Sequence, residues 1–144
     1  MVACADDLAK DHSAAVHAMF VFSDGDDNFS HIGRDEVLRT LIRTRIRVYA
    51  IGKKNESDPW QNTAAKGVKT LKQFAETTGG KAFVVKSERD SHAAVSEIAS
   101  DLSSLCVVSA KIRSLSGDIY YKLEVKSKAG VTIHAPQLVF APLN

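Results

Sequence analysis

Short apolar segments and longer amphipathic segments alternate along the chain up to Leu105, and this alternation constrains the fold more than any other feature. The strand-like segments are 18–22, 46–51 and 81–85. The helix-like segments are 6–18, 35–44, 67–78 and 88–105. Strands that alternate with helices predict an α/β domain with a mostly parallel sheet, right-handed crossovers and helices on both faces. The unbroken apolar run at 18–22 predicts a strand that is buried on both faces.

The ends of the predicted helices carry signals of their own. Gly79 and Gly80 follow the third helix-like segment and predict its end. Ser87 and Asp90 resemble a capping box at the start of the fourth. The predicted apolar stripe of that fourth helix consists of Val95, Ile98, Leu102 and Leu105.

The sequence period changes after Cys106. Apolar and polar residues alternate over 119–126 and again over 131–135, and residues 127–130 have the composition of a turn. Alternation with a period of two predicts an antiparallel β extension. We therefore expect an α/β domain over 1–106 and a C-terminal β extension over 107–144 that packs on the same domain.

Composition and charge exclude several classes of protein. The chain has 144 residues, 44% hydrophobic and 25% charged, which is typical of one globular domain. The run at 18–22 is far too short for a membrane-spanning helix, so we expect no membrane insertion. A net charge of +2 gives no argument for nucleic acid as a partner. The N-terminal residues have no signal-peptide pattern, and the compartment stays undetermined.

Two other sets of residues receive ordinary interpretations. Cys4 and Cys106 are predicted to be buried free thiols, because the chain is rich in apolar residues. The five arginines between 34 and 47 are interpreted as a solvated helix face followed by a strand.

An acidic loop follows the first predicted strand, with three aspartates and one asparagine among residues 24–28. Carboxylates held this close together favour a divalent cation, and ligands bind beyond the carboxyl ends of strands in open α/β sheets. The alternative is a solvated loop whose side chains only make turn hydrogen bonds. An EF-hand is excluded, since Phe29 occupies the position of the required glycine.

Four segments together resemble one known family. They are MFVFSDGDDN at 19–28, VYAIG at 48–52, LKQFAETTGGKAF at 71–83, and a tail with KLEVK at 122–126, Gly130 and Ala141-Pro142. In this order and spacing they resemble von Willebrand factor type A domains, and the tail resembles the related bacterial proteins common in acidobacteria. The resemblance covers about Met19 to Pro142. It implies a Rossmann-like, doubly wound, mostly parallel sheet of which residues 1–106 form only the C-terminal half.

The resemblance also implies a remnant of the metal-ion-dependent adhesion site, MIDAS. Asp24 matches the aspartate of the third metal-binding loop, and Ser23 and Gly25 shape that loop. Asp26 has no ligand role in the family pattern and is kept as a second candidate ligand. The D-x-S-x-S motif of the family is missing, so we expect Mg²⁺ or Mn²⁺ to bind weakly or not at all.

Three functions follow as alternatives. The first is a non-enzymatic, adhesion-type protein-binding module with a remnant metal site and an unspecified protein ligand. The second is a truncated structural remnant with no functional metal site. The third is a metal-dependent hydrolase that uses Asp24 and Asp26, with Glu56 and Asp58 as helpers. Relatives in this family are typically exported.

The first predicted strand also predicts an oligomer. In the family fold it lies beside a strand that this chain lacks, and its residues carry no lysine, proline or bulge to protect the open edge. Those residues are Ala18, Met19, Phe20, Val21 and Phe22. We therefore expect a homodimer joined edge to edge, or through exchanged elements, around this strand.

Overall fold

The computed structural model describes residues 1–11, 16–23, 32–53, 61–108, 119–128 and 133–141. The helices are α1 (Val2–Leu8), α2 (Arg34–Arg43), α3 (Gln61–Thr78) and α4 (Glu88–Ser103). The strands are β1 (His17–Ser23), β2 (Ile46–Lys53), β3 (Ala82–Val85), β4 (Ile119–Lys122) and β5 (Leu138–Ala141). The predicted mixed α/β fold is confirmed.

Strands β1, β2 and β3 form a parallel sheet in that order, so β2 lies in the middle. Phe20 of β1 lies opposite Tyr49 of β2, and Ile51 of β2 lies opposite Phe83 of β3. Strands β4 and β5 form a separate antiparallel pair. The predicted antiparallel character of the tail is therefore confirmed.

Strand β2 organises two hydrophobic clusters, one on each face of the sheet. On one face Ile46 and Val48 pack with residues of α1, β1, α2 and α3, among them Leu41 and Phe74. On the other face Tyr49 and Ile51 pack with Val85 of β3 and with Ala94 and Ile98 of α4. Six of the eight β2 residues are buried. An almost wholly apolar strand is what burial on both faces requires.

Helix α4 begins with the predicted capping box. The Asp90 N–H donates to Ser87 Oγ over 3.2 Å, and the Ser87 N–H donates to the Asp90 carboxylate over 3.1 Å. The Lys86 N–H donates to the same carboxylate. These backbone and side-chain hydrogen bonds lower the pKa of Asp90, because they favour its charged form.

Several predicted boundaries are wrong. The first helix ends at Leu8, and residues from His17 onward belong to β1 instead of a helix. Helix α3 begins at Gln61, six residues before the predicted start. In the tail, the strand that pairs with β4 is Leu138–Ala141, whereas the described residues of 131–135 are not in a strand. Alternation of apolar residues therefore predicted β4 but not the segment that pairs with it.

Three predictions of burial are also wrong. Val95 of α4 is half exposed, because the helix turns Ala94 and Ile98 toward the sheet instead. The thiols of Cys4 and Cys106 are free but exposed, since both residues lie outside the two core clusters.

The two glycines after α3 permit a close approach of the backbone to β2 and to the tail. Gly79 has φ +82°, and a Cβ built on it would lie 2.6 Å from the Pro136 nitrogen. A Cβ on Gly80 would lie 1.9 Å from the carbonyl oxygen of Val48. Both contacts are with backbone, which a side-chain rotation cannot relieve. The Gln137 N–H also donates to the Thr77 carbonyl at the end of α3.

This approach predicts that Gly80→Ala is strongly destabilising. The added methyl group would force α3 away from β2, so we expect a loss of at least about 2 kcal/mol in the free energy of unfolding. Gly33→Ala is the matched control, because a Cβ there meets nothing within 4 Å and should cost less than about 1 kcal/mol. Urea unfolding of both variants measures the difference. Equal losses would show that the contact with Val48 is not restrictive.

Candidate functional site

The carboxyl ends of the three parallel strands meet at one edge of the sheet, where a groove opens. Strands β1, β2 and β3 end at Ser23, Lys53 and Val85. The residues that line the groove include Phe22, Ile51, Lys86, Ser87, Glu88 and Ser91. This end of the sheet is where ligands bind in open α/β folds.

The described wall of the groove carries lysines that sequence analysis missed. Lys53 is the last residue of β2, and Lys86 directly follows Val85 at the end of β3. A lysine at the end of an apolar strand is the signal that could have found both. Glu88 is the acidic residue among the lining side chains and is 91% exposed. Among the described lining residues, lysines therefore outnumber acidic residues by one.

The acidic loop predicted to hold a metal lies outside the described residues. This applies to Asp24, Gly25 and Asp26, and equally to the helper residues Glu56 and Asp58. Ser23 is described, is the last residue of β1 and lines the groove. Among the residues that the structure covers, no three His, Cys, Asp or Glu side chains form a group that could hold a metal.

Strand β1 is covered on one face and open on the other. Met19 is buried, and Val21 is partly buried in the cluster formed with α1 and α2. On the opposite face Ala18 is partly buried, but Phe20 is 49% exposed and Phe22 is 69% exposed. The prediction that both faces of β1 are buried is therefore wrong. Helix α4 packs over β2 and β3, and the described residues place no helix over β1 on that face.

The two exposed phenylalanines are held differently. The Phe20 ring stacks on Tyr49, with ring centroids 5.6 Å apart and an interplanar angle of 22°. Tyr49 is itself buried, so the sheet fixes the position of Phe20. Phe22 lies opposite Ile51 and forms one wall of the groove. Together the rings extend the apolar surface from the groove along β1.

In the described part of the chain, the outer backbone edge of β1 is open as well. Within the described structure β1 pairs with β2 alone, so no described strand lies on its outer side. In a parallel sheet alternate residues direct their N–H and C=O groups to opposite sides, and those of β1 that point away from β2 can pair with another strand. The seven residues of β1 include no lysine and no proline. The structure thus joins a pairing edge to an exposed aromatic face.

A charged cluster lies at the opposite end of the strands. The Asp101 carboxylate of α4 accepts hydrogen bonds from the Tyr49 hydroxyl and from Arg47 Nη1, the latter over 3.2 Å. Lys81 Nζ lies 3.3 Å from Asp101 Oδ1 and 3.1 Å from the Glu97 carboxylate. Arg47 was predicted to lie in the strand that follows the solvated helix face; it lies in β2, and its side chain is only 13% exposed. A charged residue inside an apolar strand is the signal of a buried partner.

The hydrogen bonds and ion pairs of this cluster join α4 to the sheet. Burial alone would raise the pKa of Asp101, but the hydrogen bonds from Tyr49 and Lys81 and the charges of Lys81 and Arg47 outweigh it and lower that pKa. Burial and the hydrogen bond to Asp101 raise the pKa of Tyr49 to about 12. Tyr49 therefore remains a neutral donor at any ordinary pH. Arg47 Nη2 also donates to the His134 carbonyl and thereby contacts the tail.

No family model matches the chain, and no curated protein matches it. The crystal structure of an uncharacterized membrane spanning protein from Vibrio fischeri is similar over 62% of this chain, with a TM-score of 0.45 and 19% identity. The chain spans 47% of that protein's length in the match. None of the helices described for this chain is long and apolar enough to cross a membrane.

The charged cluster predicts a pH-dependent effect of Asp101→Asn. The pKa of Asp101 is lower in the folded state than the ordinary aspartate pKa of 3.8. The ionised carboxylate therefore contributes fully to stability at pH values above 3.8. This contribution is lost as the pH falls through the pKa of Asp101 in the folded state. We expect the variant to lose about 2 kcal/mol in the free energy of unfolding at pH 7 and far less near pH 2.

Urea unfolding at several pH values measures this effect. Asp7→Asn is the control, since Asp7 forms an exposed pair with Lys10 and should change stability little. A loss for Asp101→Asn that does not change with pH would show that the lost interaction is not the ionised carboxylate.

Proposed function

We propose that this chain is a non-enzymatic protein-binding module built on the C-terminal half of a von Willebrand factor A-type, Rossmann-like, doubly wound domain. The motif resemblance supports this assignment. It is compatible with the parallel order of β1, β2 and β3 and with helices on both faces of the sheet. The proposed binding surface is the outer side of β1, together with the acidic loop that follows it.

One observation carries the proposal: β1 combines an open backbone edge with the exposed rings of Phe20 and Phe22. Exposed aromatic residues are common in protein interfaces, and two on one short strand form a patch that folding of the described residues leaves uncovered. An extended segment of a partner would pair its backbone with β1 and place alternate apolar side chains against the two rings.

The remnant metal site is the second part of the proposal. Asp24 follows Ser23 in the sequence, and Ser23 lines the groove at the carboxyl ends of the strands. A Mg²⁺ or Mn²⁺ ion held there by one or two carboxylates would keep several waters and could accept a carboxylate from a partner. Lys53 and Lys86 line the same groove and would compete with the ion for the acidic side chains.

The binding surface predicts selective capture of extended apolar peptides. A random synthetic peptide library, panned against dilute wild-type protein, should enrich sequences with apolar residues at alternate positions. Phe22→Lys should reduce capture of the selected peptides at least about tenfold, because it places a charge in the apolar patch.

Val95→Lys is the matched control, since Val95 is similarly exposed but lies on α4 and outside the patch. Capture that is equal for the wild type and both variants would contradict binding through β1. Failure to enrich any peptide would contradict the proposed function as a whole.

The remnant metal site predicts weak binding that depends on Asp24. Titration with Mn²⁺ should give a dissociation constant of about a millimolar or weaker, because most of the family's ligands are missing. Asp24→Ala should abolish this binding, whereas Asp35→Ala, at an exposed aspartate of α2, should not. Micromolar binding that survives Asp24→Ala, or that is lost only with Asp26 or Asp27, would contradict the assignment.

A further inference from the structure

The outer edge of β1 is self-complementary. We propose that a second copy of this chain occupies it, with the two β1 strands antiparallel and Phe20 opposite Phe20 of the second copy. This inference rests on the proposed function, because it names the partner of the same surface. The two three-stranded sheets would then form one continuous sheet of six strands, with β1 of each copy at the centre.

Symmetry favours the antiparallel arrangement. Two copies paired in parallel are related by an axis along the strands, which turns the exposed phenylalanines of one copy to the opposite face. A two-fold axis perpendicular to the sheet gives an antiparallel pair and leaves the exposed phenylalanines of both copies on the same face of the combined sheet. Directly opposite residues then lie on the same face. Only this arrangement brings the four rings of Phe20 and Phe22 together.

The register follows from the length and the side chains of β1. The strand has seven residues, and Phe20 is the middle one, so centring the pair on Phe20 aligns the full length of both strands. Phe22 then lies opposite Ala18 of the second copy, and the small side chain leaves room for the large ring. Shifting the centre by one residue shortens the overlap at both ends.

Area and charge indicate a reversible dimer. From their exposed fractions of 49% and 69%, the four phenylalanines would bury at most roughly 450 Å² of apolar surface, to which the paired backbone edges add. Stable interfaces bury about 1,200 to 2,000 Å², so this contact lies at or below the lower limit. No Asp, Glu, Lys or Arg occurs in β1, so like-charge repulsion between paired strands does not oppose the contact.

The first test is the mass in solution as a function of concentration. The mean mass of the wild type, measured by sedimentation or light scattering, should rise with protein concentration from 15.6 kDa toward twice that value. The midpoint of this rise should lie at roughly micromolar concentration. Phe22→Lys should shift the midpoint at least about tenfold higher, and Val95→Lys should not. A wild type that stays at 15.6 kDa up to millimolar concentration would overturn the proposal.

The second test fixes the register by disulfide cross-linking, in a background with Cys4→Ser and Cys106→Ser. In the proposed pair, Phe20→Cys faces itself at a distance that a disulfide can bridge. In the same pair, position 22 of one copy lies four residues along the strand, about 13 Å, from position 22 of the other copy. The Phe22→Cys variant should therefore not cross-link. Oxidation should therefore give a covalent dimer of the first variant alone. Equal cross-linking of both, or of neither, would overturn the register.

The two proposals fail in different ways. If dilute wild-type protein selects peptides at β1 but never dimerises, the binding surface stands and the second copy is wrong. If the protein dimerises through Phe20 yet selects no peptide, self-association stands and binding of other proteins is wrong. Circular dichroism of each variant must match the wild type, so that loss of folding is not mistaken for loss of contact.

Discussion

Strand β2 is covered on both faces and along both edges, and the rest of the structure is arranged around it. Its odd and even residues enter different core clusters, and β1 pairs with it along its length up to Gly52. On the other side β3 pairs only from Ala50 onward, and the Val48 N–H donates instead to the Thr78 hydroxyl at the end of α3. This is why Gly80 must be able to approach the backbone of β2.

In the same arrangement, only one edge and one face of β1 are covered by described residues. Its inner edge is paired and one face is covered by α1 and α2, but its outer edge and the face with Phe20 and Phe22 have no described cover. Tyr49 links the exposed face of β1 to the buried core, since its ring stacks on Phe20 and its hydroxyl donates a hydrogen bond to Asp101 of α4. The Phe20 ring is therefore held in place by a buried residue, which lowers the entropic cost of binding through that ring.

The elements that sequence analysis located are those whose signals are local. The apolar run of β2, the amphipathic pattern of α2 and the capping box at Ser87 depend only on neighbouring residues, and each lies where it was predicted. What was missed depends on packing across the sheet. A five-residue apolar run cannot reveal whether a helix covers Phe22, and Arg47 cannot reveal Asp101, 54 residues away. The metal loop stays a prediction, since Asp24 and Asp26 lie outside the described residues.

The most direct test of the account is residue-resolved amide hydrogen exchange along β1, measured at several protein concentrations. In dilute solution the N–H groups that point to β2 should be protected, and the alternate ones that point outward should exchange rapidly. The outward groups should become protected as the concentration rises. Amides of β1 that are all protected as strongly as those of β2, at every concentration, would show that the chain covers its own edge and would contradict the account.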